Sequence, residues 1–179
     1  MIHYHYTDTE MNKILKTLTI IIDTREQKNT HILDYLRQKD IPLKIQKLDY
    51  GDYSAMIPKN EELGIQRDIY LNSAIERKAH MDEICGNLQK DTQTAFENEL
   101  IRSQKGRFVL FVEDIEQYSK LIKGEYRSRY DPKALLGRLE SFQAKYNFEI
   151  VPVKQTEMGN RIYHRFYYQA KYCLKQGAF

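Results

Sequence analysis

Apolar positions along this chain fall into short β-branched runs and longer stretches at helical spacing. Leu18-Thr19-Ile20-Ile21-Ile22 ends abruptly at Asp23, the pattern of a central strand covered on both faces. His31 to Lys39 reads as a helix whose apolar side carries Ile32, Leu33, Tyr35 and Leu36. After Pro42, the residues Leu43, Ile45 and Leu48 predict a second strand. Asp49-Tyr50-Gly51-Asp52 is turn chemistry, and Tyr53 to Ile57 resumes an extended pattern. Pro58 to Arg67 is a polar loop, and Ile69 to Lys78 returns to strand.

Met81, Ile84, Cys85 and Leu88 recur at i, i+3, i+4 and i+7, as on one face of a helix. Phe96, Leu100 and Ile101 continue that helix or belong to a second one after Asp91-Thr92. Phe108 to Val112 is another buried-strand run, followed by Glu113-Asp114. Asp131-Pro132 is a helix start, Asp being suited to the cap and Pro to the first turn. Leu135, Leu139, Phe142 and Tyr146 mark the core face of that helix. Phe148 to Val153 gives a last strand, and Asn160 to Lys175 a last helix with Ile162, Phe166, Ala170 and Cys173 on one side. The order is βα, a hairpin-like group of strands, then αβααβα. This predicts an α/β fold, a mixed β-sheet flanked by helices on both faces. One domain is expected over residues 18–179, after a tail or short draped element at 1–17. In that element His3 and His5 alternate with Tyr4 and Tyr6 and could share a face able to take a metal; an ordinary terminal tail is the favoured reading.

Composition narrows the class. A chain of 179 residues with 41% hydrophobic and 30% charged residues has room for one well-cored globular domain. No apolar run approaches the ~20 residues that cross a bilayer, and the N-terminus lacks a signal-peptide layout. No membrane association and an intracellular, cytoplasmic location are the expectations. Cys85 and Cys173 stand alone, which excludes a disulfide framework and a structural zinc site and leaves two reduced thiols. The net charge of +3 leaves a polyanionic partner open without requiring one.

The chemistry gathers around Glu76-Arg77-Lys78, with Gly51-Asp52-Tyr53 upstream and Asp82 downstream. Alternation along a strand points Glu76 and Lys78 to one face and Arg77 to the other. If the fold brings Asp52 to Glu76, two carboxylates ~4 Å apart at an effective dielectric of ~20 repel by roughly 4 kcal/mol. A divalent cation reverses that sign, and an all-oxygen set suits Mg²⁺ or Mn²⁺. Lys78 could then orient a water or offset charge on phosphoryl oxygens. Each piece alone has a commonplace reading: a solvated charge pair, a turn, or, for Asp82, a partner for the helix dipole. Asp23-Thr24-Arg25-Glu26 could likewise be a strand end leading into a helix. Their combination is far rarer.

Taken in order, Ile22-Asp23-Thr24-Arg25-Glu26, Gly51-Asp52-Tyr53, Glu76-Arg77-Lys78 and Asp82 resemble the nuclease-domain signature of the XPF/Mus-type structure-specific endonucleases. The spacing of three residues (Ala79, His80, Met81) between Lys78 and Asp82 matches as well. The resemblance runs over about residues 18–175 in element order, its motifs over 22–82. It implies a restriction-endonuclease-like fold and hydrolysis of DNA phosphodiesters with Mg²⁺ or Mn²⁺. It also implies Asp52 and Glu76 as metal carboxylates, the backbone carbonyl of Arg77 completing the shell, and Lys78 as the catalytic lysine. Asp23, Arg25, Glu26, Arg77 and Asp82 would form the surrounding charged network. The implied substrate is branched or structured DNA (flap, fork or junction, with single-strand/double-strand boundaries). Family members commonly pair through apolar helix faces, and the last two helices here could form a homodimer in that way, although core packing explains the same leucines and phenylalanines.

Two features depart from the family pattern. Pro58 to Arg67 lengthens the segment between Asp52 and Glu76 enough to alter DNA access. No tandem helix-hairpin-helix module is expected, because the eight glycines are scattered. A compact stand-alone nuclease of this kind suits a prokaryotic, phage or mobile-element genome. A Holliday-junction resolvase, a DNA-end nuclease of the same fold and a non-catalytic DNA-binding subunit are the alternatives; a small-molecule phosphohydrolase is remote. For DNA contacts, Lys120, Lys123, Arg127 and Arg129 with Tyr126 and Tyr130 form the stronger candidate group, placed by Gly124 and dense charge on an exposed loop. Arg161, Tyr163, His164, Arg165, Tyr168 and Lys171 form a second, able to pair phosphates and stack on unpaired bases. A solvated helix face is the competing reading of both.

Overall fold

The computed structural model describes residues 6–89 and 91–177, so the alternation of His3 and His5 lies outside the described residues. The element order is α1 (Asp8–Leu15), β1 (Thr19–Ile22), α2 (Thr30–Gln38), β2 (Leu43–Ile45), β3 (Tyr53–Ile57), β4 (Ile69–Tyr70), β5 (Ser73–Lys78), α3 (Met81–Asn87) and α4 (Gln93–Ser103). There follow β6 (Arg107–Val112), α5 (Gln117–Lys123), α6 (Pro132–Tyr146), β7 (Glu149–Pro152) and α7 (Met158–Gln176). The α/β class with a mixed sheet flanked by helices is as the pattern predicts. The chain divides into two compact units, one built from the residues up to Leu48 with Tyr53–Ser73 and those from Gly159 on, the other from Asp49–Asp52 and Ala74–Met158.

In the first unit β1 is the organising strand. All four of its residues are buried, as its β-branched run requires. It pairs in parallel with β2, Ile20 opposite Leu43, and antiparallel with β3, Ile22 opposite Tyr53. β4 adds antiparallel to β3. The stretch read as one strand from Ile69 to Lys78 is thus two, β4 and β5, because Leu71 and Asn72 interrupt it. Residues 8–15 form α1 on a capping box: the Glu10 N–H donates to Thr7 Oγ1 at 3.3 Å and the Thr7 N–H to Glu10 Oε2 at 2.8 Å. Met11, Ile14 and Leu15, at i, i+3 and i+4, are buried. On α7 the stripe is Ile162, Phe166, Ala170 and Leu174, each fully buried. Strict i+4 spacing favours Leu174 over the predicted Cys173, which is only half-buried.

In the second unit the strand order is β5-β6-β7, with β6 and β7 parallel and Val109 opposite Glu149. The Glu113 N–H donates to Lys78 O at 2.9 Å, joining the C-terminal ends of β5 and β6. The apolar faces of α3, α4 and α6 supply one buried cluster, among them Met81, Ile84, Phe96, Leu100, Leu139 and Phe142, joined by Ala74 of β5. α3 and α4 are separate helices. At α6 the Ala134 N–H donates to Asp131 Oδ1 at 2.9 Å, and Pro132 occupies the first turn, as its sequence predicts.

Candidate active site

The turn before Asp52 is fitted to β5 by the absence of a side chain. Gly51 has φ of +73°, and a Cβ on it would lie 2.9 Å from Ala74 Cβ and 3.1 Å from Ile75 O. With glycine there, the Asp52 N–H donates to Ile75 O at 2.9 Å and the Arg77 N–H to Asp52 Oδ2 at 2.8 Å. These two bonds hold the Asp52 carboxylate against the Glu76–Arg77 peptide. Glu99 of α4 adds a third tie, its Oε1 accepting the Gly51 N–H at 3.0 Å. Gly51→Ala is expected to cost about 1–3 kcal/mol through the left-handed backbone and the close approach. A urea melt of the variant against the wild type checks this.

Period-two alternation then sorts the rest of β5. Ala74, Glu76 and Lys78 share the face that enters the core cluster, and Glu76 is 6% exposed. The Lys78 ammonium donates to Glu76 Oε1 at 2.6 Å. Arg77 points to the opposite face, where its guanidinium meets Glu113 at 3.3 Å with both side chains buried. Burial, and next the Asp52 charge, push the Glu76 carboxyl up to about 8; Lys78 opposes the rise and Glu99 adds to it. Burial works against the Lys78 ammonium, but the Glu76 carboxylate outweighs it and raises its pKa. Three carboxylates therefore surround one lysine, and the site holds more negative charge than that lysine offsets. A cation would relieve this imbalance, and Asp52 and Glu76 are the carboxylates that could help to hold one. Among the described residues no group of three or more His, Cys, Asp or Glu could hold a metal by side chains alone. A set resting on Asp52 and Glu76 suits Mg²⁺, which keeps much of its water.

Asp82 stands in the first turn of α3, where its Oδ1 accepts the Arg127 N–H at 2.7 Å. It thereby anchors the segment that carries Arg127 and Arg129, both exposed. The expected loop at 120–130 begins as helix: α5 runs to Lys123, and Gly124, with φ of +71°, ends it. Lys120 is bound up in a 2.6 Å pair with Asp114, which weakens it as a phosphate contact, whereas Lys123 is exposed.

Asp23 and Arg25 belong to the first unit. Asp23 is almost fully buried and accepts Arg25 Nε at 2.6 Å, the Arg25 N–H at 2.8 Å and the Leu48 N–H at 2.6 Å. Arg25 also donates to Leu48 O at 3.1 Å, and Glu26 accepts the Tyr53 hydroxyl at 3.4 Å. The cluster clamps the end of β1 to the segment after β2. Burial opposes ionisation of Asp23, but the Arg25 side chain and the two N–H donors outweigh it and lower its pKa. Asp23→Ala is expected to cost about 2 kcal/mol at neutral pH by removing the charged acceptor that the Arg25 side chain and the Arg25 and Leu48 N–H groups share. Because the folded pKa lies below the unfolded value of ~3.9, that contribution is full above about pH 5 and fades as pH falls through the folded pKa. Urea melts of both proteins from pH 8 to pH 3 should show a constant difference that shrinks only at the acid end.

Glu99 and Glu113 were not candidates from sequence. Glu99 follows Phe96 by three residues and so lies beside the buried stripe of α4, a register signal that marks its direction but not its partner.

A family model described as the ERCC4 domain matches residues 22–166. Among solved structures, the chain is similar to XPF from Aeropyrum pernix, with 14% sequence identity and a TM-score of 0.59, over 87% of this chain and 66% of that one. A second structure, XPF from Aeropyrum pernix in complex with DNA, matches at 15% identity with a TM-score of 0.58, over 86% and 65%. The chain thus spans just under two thirds of those structures. No curated protein matches.

Proposed function

This chain belongs to the ERCC4 domain family, and from that premise we propose that it is a divalent-metal-dependent endonuclease acting on branched or structured DNA. The observation that carries the reading is the Asp52–Glu76–Lys78 group, held on one strand face by the Gly51 turn with an excess of negative charge. The family match across both motif regions and the fold likeness to a protein solved with DNA support it.

Asp52 and Glu76 would hold Mg²⁺ or Mn²⁺, with the carbonyl of Arg77 as a third donor. Bound there, the ion supplies Lewis acidity, lowering the pKa of a water and offsetting charge on the scissile phosphate. Asp52 is oriented for this by the Arg77 N–H and the Gly51 turn. Lys78 holds its proton beside Glu76 and presents a cation to the phosphoryl oxygens as charge grows on them. Lys123, Arg127 and Arg129 offer exposed cations for the DNA backbone. No helix among the described residues is long and apolar enough to cross a membrane.

The test is cleavage of fork, flap and four-way-junction substrates with Mg²⁺ or Mn²⁺ by the wild type and by Asp52→Ala. Metal-dependent cutting by the wild type alone is expected; a wild type that cuts none of them with either metal ends the reading. Relative rates on the panel separate flap or fork cleavage from junction resolution, and linear duplex ends added to it expose an end-directed nuclease.

A further inference from the structure

The second basic and aromatic group of the sequence lies on one helix, α7, and the catalytic reading leaves it without a role. Over Met158–Gln176 this helix contains Arg161, Arg165, Lys171 and Lys175 and no Asp or Glu. Arg161, Arg165 and Lys171 make no ion pair among the described residues. An uncompensated positive face of this length is unusual for a merely solvated helix, where mixed charges at i and i+4 are the stabilising arrangement.

The aromatic residues follow helical spacing. His164, Tyr168 and Tyr172 recur at i+4, so their rings rise along the helix by ~6 Å per step. The His164 and Tyr168 rings stack with centroids 6.2 Å apart, and Tyr163 stands 5.7 Å from Tyr167. Tyr168 and Tyr172 are 61% and 57% exposed, a large apolar area to leave in water. Beside this ladder is a cleft of about 430 Å³ lined by Tyr35, Lys39, Ile41, Asn160, Tyr163 and His164. Its wall is built: Asn160 Nδ2 donates to the Tyr35 hydroxyl at 2.8 Å, and Gly159 lies so close that a Cβ there would sit 2.8 Å from the Tyr35 ring.

We propose that this face of α7 binds single-stranded DNA, its bases stacking on the Tyr168–Tyr172 ladder and its phosphates pairing with Arg161, Arg165 and Lys171. Charge complementarity selects a polyanion, and exposed rings select one whose bases are unpaired, because a duplex buries its base faces. The cleft has the volume of a small-ligand site and would take a base turned out of the strand. From His164 to Tyr172 the helix rises ~12 Å, matching on the order of three or four stacked nucleotides. The proposal rests on the nuclease reading only in naming the single-stranded arm of a branched substrate as the ligand; binding itself needs no catalysis.

Fluorescence anisotropy in EDTA tests it, with labelled fifteen-nucleotide oligo-dT and a hairpin duplex as probes. Changing Tyr168→Leu and Tyr172→Leu together is expected to weaken oligo-dT binding about tenfold or more and to leave the duplex nearly unchanged. Phe at both positions should restore it, and Arg161→Gln with Arg165→Gln should weaken binding and flatten its salt dependence. Circular dichroism confirms that each variant is folded. Oligo-dT affinity that is absent in the wild type, or equal in the wild type and the leucine pair, overturns the proposal. So does a wild-type dimer, seen by sedimentation, that the leucine pair splits while oligo-dT binding persists, since the face would then serve a second copy of the chain. The two readings fail separately: ring-dependent binding without cleavage leaves this surface standing alone, and cleavage without ring-dependent binding leaves only the nuclease.

Discussion

Glu76→Gln should leave a folded protein that cuts branched DNA about a thousandfold more slowly than the wild type at saturating Mg²⁺. Glutamine has the volume of glutamate and keeps an oxygen for the Lys78 ammonium, so the buried position stays filled and hydrogen-bonded. In the metal-free protein burial and the Asp52 charge already hold the Glu76 carboxyl mostly protonated at neutral pH, so glutamine changes the local charge little and thermal stability should change little. In the proposed metal site the substitution would delete one of two carboxylate donors, and the loss would fall on metal affinity and on transition-state charge together. A Mg²⁺ titration separates these effects: the variant's requirement should rise, and its rate at saturation should stay low. Lys78→Met should lose activity with an unchanged metal requirement, because it takes a cation from the phosphate and no donor from the metal. A Glu76→Gln protein retaining more than about a tenth of the wild-type rate would mean that Glu76 is not where the chemistry rests.

The parts of this site written in consecutive residues were legible in the sequence, and the parts brought from elsewhere were not. Alternation along β5 is a backbone rule, so placing Glu76 and Lys78 on one face and Arg77 on the other needed only the identification of a strand. Gly51 beside Asp52 read as a turn, but why the turn must lie against β5 is visible only in the 2.9 Å approach to Ala74. Glu99 and Glu113 escaped because nothing local distinguishes a carboxylate that meets Gly51 or Arg77 from one in water. The same limit explains Lys120. The charge density around Lys120 points to a DNA contact, and its pair with Asp114, six residues away across the start of α5, is not visible in that local pattern. In the fold, the long periodic elements were read well, while Leu71-Asn72 hid a break inside an apparently continuous strand. A short interruption of that kind is decided by the pairing of each half and not by its own residues.

Glu113→Ala should destabilise the protein by about 3–5 kcal/mol, the largest stability change expected from any single substitution in the charged network. The Arg77 guanidinium lies 3.3 Å from Glu113, with side chains only 7% and 2% exposed, so removing the carboxylate takes the opposing charge away from a desolvated cation. Gln155 reaches Glu113 Oε2 at 3.4 Å and is itself a neutral amide, so it offers no replacement charge. The backbone link from the Glu113 N–H to Lys78 O survives the substitution, which confines the effect to the side chains. Removing both partners should be far milder than removing one: Arg77→Met with Glu113→Leu exchanges a desolvated pair for apolar volume and should recover most of the loss. Urea denaturation of the two single variants and the double variant measures this directly. A loss below about 1 kcal/mol for Glu113→Ala would show that water or another group reaches Arg77. The double variant also tests the family-based role of Arg77. If its side chain serves only this pair, the refolded double variant cuts DNA at close to the wild-type rate, because the Arg77 N–H and carbonyl beside Asp52 and Glu76 are unchanged. If the guanidinium takes part in the chemistry, stability returns and activity does not.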